Sequence, residues 1–189
     1  MRDQVMNIWK MKLFYREKYL EKIRGFYHDT SLIKVITGIR RSGKSCLMET
    51  IREEIVASGI KEKNIIYINL DKRGYKSIKT AEALEEVIVK LSTKKGKKYL
   101  FIDEIQNVKD FEEVINAFRE EEEYSIFITG SNSYLLSGEL ITKLTGRYIE
   151  FEIYPLTFNE YVEMKSFKKL KIDTDIIKEF EKYENMTDI

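Results

Sequence analysis

The sequence predicts an α/β fold in which a parallel five-stranded sheet is flanked by helices. Three observations lead to this prediction. Short apolar runs alternate with stretches whose apolar residues recur at helical spacing. The first run passes through the loop GIRRSGKS into an amphipathic segment, and the third run ends in two adjacent acids, Asp103 and Glu104. Alternating strands and crossover helices make the strands of such a sheet parallel.

The loop at residues 38–45 has Gly at its first and sixth positions, followed by Lys and Ser, which is the phosphate-loop pattern. Gly38 and Gly43 permit the tight turn that brings backbone N–H groups together around an anion. Lys44 brings a positive charge to terminal phosphates, and Ser45 offers a hydroxyl to Mg²⁺. The predicted nucleotide-binding residues are Gly38, Ile39, Arg40, Arg41, Ser42, Gly43, Lys44, Ser45 and Cys46.

The residues on either side of the loop fit this reading. Residues 32–37 form an apolar, β-branched run typical of a buried strand. After the loop, Leu47, Ile51 and Ile55 recur every four residues, which predicts one apolar face of a helix. The alternative is a glycine turn beside a solvated basic patch. The flanking strand and helix favour the phosphate loop.

The other elements follow from apolar runs and capping signals. A helix is expected over residues 2–24, which contain neither Gly nor Pro. Further helices are expected over residues 80–91 and 134–143, with others starting at Asp110 and Thr157. Thr80 is the expected N-cap of the second of these helices. The remaining strands are expected at residues 64–70, 99–102, 125–129 and 148–153.

The acids that end the third strand form the second predicted part of the site. A strand buried on both faces does not end in two carboxylates without a use for them. At the carboxyl edge of the sheet, Asp103 can hold Mg²⁺ through water, and Glu104 can orient a water for attack on the γ-phosphate. The alternative is an ordinary acidic loop. Ser131 and Asn132, which follow the fourth strand, are candidates for hydrogen bonds to the γ-phosphate or that water, or else form a helix cap.

Composition excludes several classes. The chain has 189 residues, enough for one domain, with 43% apolar residues and a net charge of +1. This balance does not support nucleic acid as a partner. The basic turn at residues 94–98 could contact a nucleic-acid backbone, but a solvated loop is the favoured interpretation. A single cysteine, Cys46, indicates a reducing compartment, and a small buried helix residue is favoured at this position over a role in the site. No apolar run is long enough to span a membrane, so a cytoplasmic location is expected. One histidine and one cysteine do not suggest a zinc site.

The motifs together resemble a known family. LIKVITGIRRSGKS, YLFIDEIQ, ITGSNS and LTGRYIEFEIYPLTFNEY are similar to segments of prokaryotic AAA+-type ATPases with a GxRRxGKS loop. That family belongs to the additional-strand, catalytic-glutamate class of P-loop ATPases. The resemblance covers roughly residues 14–163 and implies a three-layer P-loop NTPase fold with strand order 5-1-4-3-2.

The resemblance also implies roles for particular residues. Lys44 and Ser45 match the Walker A motif, Asp103 and Glu104 match Walker B, and Ser131 or Asn132 matches sensor 1. Arg147 stands where AAA+ subunits often carry an arginine finger, which implies a homo-oligomer; an internal salt bridge or partner contact is the alternative. For Arg40 and Arg41 the alternatives stay open: they contact phosphate, a neighbouring subunit or DNA, or they are exposed to solvent.

These observations predict a Mg²⁺-dependent ATPase that binds ATP and ADP. Its domain is expected at residues 1–165, and residues 166–189 are expected to be a helical tail or the start of a lid or C-terminal domain. Members of the similar family continue beyond this point, so the chain is expected to be an N-terminal piece that drives or gates an absent domain. Two alternatives stay open: a nucleotide-gated switch with little turnover, and a small-molecule phosphotransferase.

Overall fold

The computed structural model describes residues 13–92, 95–130, 144 and 146–167. Tyr15–Pro155 forms one compact unit, which contains the sheet. The second unit comprises Met1–Phe14 and Leu156–Ile189, and only residues 13, 14 and 156–167 of it are described. The domain limits expected from the sequence, 1–165 and 166–189, remain predictions.

The sheet has five parallel strands in the order β2-β3-β4-β1-β5, which is the predicted order read from the other edge. The insertion of β4 between the loop strand β1 and the acidic strand β3 is therefore confirmed. The strands are β1 (Ile33–Thr37), β2 (Ile65–Asn69), β3 (Lys98–Asp103), β4 (Tyr124–Thr129) and β5 (Tyr148–Glu152). Each lies within two residues of its predicted position.

Helices cover both faces of the sheet because each inner strand is apolar on both sides. Among the described residues of this unit, the α-helices are α1 (Glu17–Ile23), α2 (Lys44–Ala57), α3 (Ala81–Leu91) and α4 (Phe111–Glu120). α1 and α2 pack on the face that carries Ile36, Phe101 and Phe127, and α3 and α4 pack on the face that carries Val35 and Ile128. Successive residues of a strand point to opposite faces, so the alternation separates two cores. The result is the predicted three-layer arrangement.

Two capping predictions are confirmed and one is wrong. Thr80 caps α3, since its hydroxyl accepts a hydrogen bond from the N–H of Ala83. In the second unit, Thr157 and Glu160 bond reciprocally at the start of α5 (Phe158–Phe167). Asp110 precedes α4 but makes no side-chain cap hydrogen bond. Its backbone is left-handed, with φ of 54°, so its carboxylate does not reach the helix amides in the way a capping box requires.

The N-terminal helix is shorter within the described residues than the sequence pattern suggests. The predicted range was 2–24, whereas α1 covers Glu17–Ile23 and is followed by a 3₁₀ turn at Arg24–Phe26. Residues 13–16 are described and are not helical. The beginning of the predicted helix and the helix expected at 134–143 lie outside the described residues.

Candidate functional site

The loop between β1 and α2 has the close backbone packing that its two glycines predict. Gly38 has φ of 147°, and a Cβ added there would lie 2.3 Å from the carbonyl oxygen of Ile153 and 2.7 Å from Oγ of Ser42. Gly43 has φ of 98° and directly precedes α2. A side chain at Gly38 would collide with backbone, and one at Gly43 would be strained. Both glycines are therefore required for the observed path of the loop.

Polar groups line the inside of this loop. Lys44 is 5% exposed, and its Nζ donates to the carbonyl oxygens of Gly38 at 2.9 Å and Ile39 at 3.2 Å. The Oγ of Ser42 is buried and has no hydrogen-bond partner within the described part of the chain. The N-cap residue of α2 is Gly43, which has no side chain that could cap the helix. Uncapped N–H groups at a helix start, next to a lysine, favour the binding of phosphate.

A buried arginine holds the loop from behind. Arg16 is 7% exposed, and its Nη1 donates to the carbonyl oxygens of Ser42 at 3.0 Å and Tyr154 at 2.8 Å. Its Nη2 donates to the carbonyl of Pro155 at 3.4 Å. The guanidinium also stacks over the ring of Tyr19, 4.5 Å from the ring centre. Arg16 thus connects the start of α1, the phosphate loop and the segment that follows β5.

The two acids that end β3 differ in their surroundings. Asp103 is fully buried; its Oδ2 accepts from Nδ2 of Asn69 at 2.7 Å, and its Oδ1 accepts from Oγ1 of Thr129 at 2.5 Å. Glu104 is half-buried and receives a hydrogen bond from Nε2 of Gln106. Its own backbone N–H donates to Oγ1 of Thr129 at 3.1 Å. Asn69 and Thr129 end the strands on either side of β3, so neighbouring strands fix the aspartate from both sides.

The negative charge of Asp103 affects the pKa of Tyr67, which lies in the core next to the site. Burial raises the pKa of the Tyr67 phenol, and the charge of Asp103 adds to that increase. The ring of Tyr67 stacks on Phe101 at 5.9 Å, which belongs to the same strand as Asp103. The phenol therefore stays neutral next to the acid across the ordinary pH range.

One cavity brings the two motifs together. It has a volume of about 240 Å³ and is lined by Arg40, Lys44, Asp71, Glu104 and Gln106. The phosphate-loop lysine and Glu104 thus open into the same cavity at the carboxyl edge of the sheet, while Asp103 is buried next to Glu104. The cavity joins two positive and two negative side chains with one amide. Such a set can bind phosphate and can also place a carboxylate next to a bound water.

The remaining predicted loop residues lie around this cavity without lining it. Arg41 is exposed and has φ of 69°, an uncommon conformation for a residue with a side chain. Ser45 and Cys46 are exposed in the first turn of α2. For Cys46 the sequence favoured a small buried residue, and this is wrong because α2 turns that position away from the core. Ser131 and Asn132 lie outside the described residues.

Arg147 lies far from the cavity within its own chain. It is exposed, and its carbonyl accepts from the N–H of Ile33 at 3.0 Å, at the amino edge of the sheet. Both β1 and β5 have five residues, which corresponds to roughly 16 Å of strand between that edge and the phosphate loop. Because β5 runs parallel to β1, Arg147 and Lys44 lie at opposite ends of the sheet.

The basic turn before β3 is partly used inside the fold. Lys97 donates to the carbonyl of His28, and Lys98 forms an ion pair with Glu123 at 2.5 Å. These contacts favour a structural role for the turn over a nucleic-acid contact. In the described residues there is no helix long and apolar enough to cross a membrane.

Sequence reasoning missed five residues that shape the site. A signal was present for Asn69 and Thr129, because each is a polar residue that ends an apolar strand at the same sheet edge as Asp103. Gln106 and Asp71 lie just beyond strand ends and follow the same logic. Arg16 gave no signal, since a single arginine in an amphipathic segment looks like surface charge.

The sheet order and the loop that joins β1 to α2 define a P-loop NTPase domain of the AAA type. The chain belongs to the AAA domain family, whose model matches residues 30–162. Solved structures with the same fold include a DNA polymerase III gamma subunit-related protein of Thermotoga maritima, at a TM-score of 0.56 and 13% identity, matched over 78% of this chain and 49% of that one. A DNA replication initiation factor matches with a TM-score of 0.53 and 17% identity, over 85% of this chain and 53% of that one.

Sequence relatives are closer in identity. An uncharacterised protein of Haemophilus influenzae is 42% identical over 170 residues, which is 89% of this chain and 42% of that protein. An uncharacterised protein of Methanocaldococcus jannaschii is 38% identical over 139 residues, 74% of this chain and 30% of that protein. The chain therefore spans less than half the length of these relatives. Its family and fold support nucleotide binding as the basic property of the domain.

Proposed function

We propose that this domain binds ATP with Mg²⁺ and hydrolyses the γ-phosphate. The observation that carries the proposal is the single cavity lined by both Lys44 and Glu104. A lysine from a glycine loop and an acid from a strand end have a common use when a triphosphate lies between them. The proposal assigns the domain to the catalytic-glutamate class of P-loop ATPases, with GIRRSGKS as its Walker A loop.

The residues present fit the nucleotide and its metal. The close-packed glycines and the uncapped start of α2 provide the anion cradle. Mg²⁺ is commonly held by one or two oxygen side chains together with substrate phosphates, and Ser45 and Asp103 supply such oxygens. When bound, the metal offsets negative charge on the phosphates. Asp103 is already oriented by its two hydrogen bonds, so its side chain loses little conformational freedom when the metal binds.

Each proposed site residue has its own role in hydrolysis. The loop amides and Lys44 bind the phosphates and stabilise the charge that develops on them. To do so, the Nζ of Lys44 exchanges its bonds to the Gly38 and Ile39 carbonyls for phosphate oxygens. Glu104 accepts a hydrogen bond from the attacking water and orients it in line with the bond that breaks. Ser131 or Asn132 is proposed to contact the γ-phosphate from the end of β4.

The test is phosphate release by the wild type and by Glu104→Gln. The substitution keeps the shape of the side chain but removes the charge that orients water, so we expect release to fall by about a hundredfold or more with nucleotide affinity retained. Glu86→Gln, on the exposed side of α3, makes the same chemical change away from the cavity and serves as the matched control. Equal rates for Glu104→Gln and the wild type would show that Glu104 has no such role.

A nucleotide-gated switch is the second candidate, and one contact favours it. Gln106 holds the carboxylate of Glu104 through its amide, which competes with a water for the same oxygen. If that contact persists in the nucleotide complex, turnover is slow and the bound state itself is the signal. Single-turnover experiments separate the two functions, because a switch releases phosphate slowly and retains ADP. The effector would then be the part of the relatives that this chain does not span.

A homo-oligomer is proposed as the partner arrangement. What supports it is the distance of Arg147 from the cavity of its own chain, since an arginine finger at this position has to come from a second copy. Nucleic acid is not proposed, because the net charge is +1 and the basic turn is bonded within the fold. Solved structures with this fold include DNA replication proteins, but at identities of 13% and 17% the similarity shows only a shared fold.

A further inference from the structure

We propose that Thr129 is a positioning residue whose single hydroxyl orients both acids of the site, Asp103 for the metal and Glu104 for water. The inference rests on the proposed function and adds a residue that neither the phosphate loop nor the acid pair includes. Thr129 is the last residue of β4 and is fully buried, and β4 lies between β3, which ends in Asp103, and the loop strand β1.

The geometry around the hydroxyl leaves little freedom. Oγ1 of Thr129 donates its one proton to Oδ1 of Asp103 at 2.5 Å, and it accepts the backbone N–H of Glu104 at 3.1 Å. A hydroxyl has one donor and two acceptor positions, so the two bonds fix its rotation. Because both partners are neighbours in the chain, one oxygen determines how the peptide between Asp103 and Glu104 is oriented.

The backbone of Glu104 needs such support. Its φ of 60° and ψ of 48° place it in the left-handed region, which a residue with a side chain adopts only when its surroundings hold it there. Its N–H is held by Thr129, and its carbonyl accepts from the N–H of Asn107 at 3.1 Å. The left-handed turn directs the Glu104 side chain into the cavity with Lys44. Loss of the Thr129 bond removes one of the two backbone contacts that keep this conformation.

The orientation of Asp103 depends on the same hydroxyl. The carboxylate is fully buried, and each oxygen has one donor, Asn69 for Oδ2 and Thr129 for Oδ1. Groups that hydrogen-bond a metal ligand typically change metal affinity or activity by about 10–100-fold when removed. Removing the Thr129 donor leaves one oxygen of a buried carboxylate without its partner, so the carboxylate is expected to rotate.

Two pairs of variants isolate the hydroxyl. Thr129→Val replaces the hydroxyl by a methyl group of similar size. Thr129→Ser and Thr129→Ala differ from each other by one oxygen, and this second pair keeps the test decisive if the valine variant fails to fold. Thr50→Val is the matched control, since Thr50 is also buried and its hydroxyl bonds only the Leu47 carbonyl in α2, away from the acids.

The first measurement does not depend on catalysis. Binding of Mn²⁺ in the presence of ADP is followed by electron paramagnetic resonance, and binding of ADP without metal is measured separately by calorimetry. We expect Thr129→Val and Thr129→Ala to weaken Mn²⁺ binding about tenfold or more, while ADP binding without metal changes less than about twofold. Thr129→Ser is expected to retain near wild-type Mn²⁺ affinity. Thr50→Val is expected to lower thermal stability only.

The second measurement is phosphate release at saturating Mg²⁺, where weaker metal binding no longer limits the rate. A remaining loss of about tenfold in Thr129→Val or Thr129→Ala, rescued in Thr129→Ser, reports the displaced Glu104. The inference is overturned if the variants without the hydroxyl bind Mn²⁺ and release phosphate like Thr50→Val. Failure of the proposed function is distinguishable, because it appears as full activity in Glu104→Gln, whatever the Thr129 variants do.

Discussion

The first prediction concerns Arg16, the buried arginine behind the phosphate loop, and its support of nucleotide binding. Arg16→Met removes every donor while keeping an unbranched side chain of similar length. The bonds of the guanidinium include two of 3.0 Å or less, to the carbonyls of Ser42 and Tyr154, and a longer one to the carbonyl of Pro155. Hydrogen bonds from charged groups contribute about 1.5–3 kcal/mol each, so we expect a loss of about 3 kcal/mol in the free energy of unfolding.

The functional consequence follows from which carbonyl is bonded. The Ser42 carbonyl belongs to the loop that cradles phosphate, and without Arg16 this carbonyl loses its hydrogen-bonded connection to Tyr154 after β5. We expect the affinity for a fluorescent ADP analogue to fall about tenfold, which corresponds to about 1.4 kcal/mol of loop ordering. Denaturant unfolding followed by circular dichroism gives the stability, and fluorescence titration at a temperature where the variant is folded gives the affinity.

Arg24→Met is the matched control. Arg24 directly follows α1, and its exposed guanidinium pairs with Glu17 and Glu54 rather than with the loop. Exposed ion pairs contribute about 0–1 kcal/mol, so this variant is expected to lose little stability and no nucleotide affinity. If Arg16→Met is no less stable than Arg24→Met, the bonds behind the loop contribute nothing. If it is destabilised but binds ADP normally, Arg16 supports the fold and not the site.

Two further predictions concern a buried lysine and the oligomer. Burial lowers the pKa of Lys34 to about 7, so the unfolded chain binds more protons than the folded chain between pH 7 and the usual lysine value of 10.5. The free energy of unfolding should therefore rise by about 2 kcal/mol from pH 7 to pH 9, and Lys34→Met should remove this slope in urea titrations; an equal slope in both proteins would contradict the assignment. For the oligomer, Arg147→Ala and Glu104→Gln are expected to be inactive alone and to regain phosphate release when mixed, because each supplies the group that the other lacks. Wild-type activity of Arg147→Ala alone would exclude an arginine finger at this position.

Several features of the fold could be predicted from local patterns because they depend on short stretches of chain. The strand positions follow from apolar runs such as Tyr124–Thr129, whose residues are all buried. Strand order was predicted from the resemblance to a known family. The capping prediction at Asp110 was wrong because the residue pattern does not determine the backbone conformation. The left-handed φ of Asp110 moves its carboxylate away from the helix amides.

The site was predicted in part for the same reason. Lys44 and Glu104 each belong to a compact motif, and both line the same cavity. The residues that hold them belong to other strands and to the N-terminal segment. Arg16 lies 26 residues from the Ser42 carbonyl it contacts, and Thr129 lies 26 residues from Asp103. Neither pairing is visible before the strands are aligned side by side.

By itself the sequence determined the chemistry of the domain: a glycine loop with a lysine, two acids after a buried strand, and the alternation that makes the sheet parallel. Only the tertiary structure decided that Lys44 and Glu104 share one cavity, that one threonine bonds the Asp103 carboxylate and the Glu104 amide, and that Arg147 lies at the amino edge of the sheet. The physical reason is that motifs encode local geometry and charge. The register of neighbouring strands sets which side chains meet, and it emerges only when the whole sheet buries its two apolar faces.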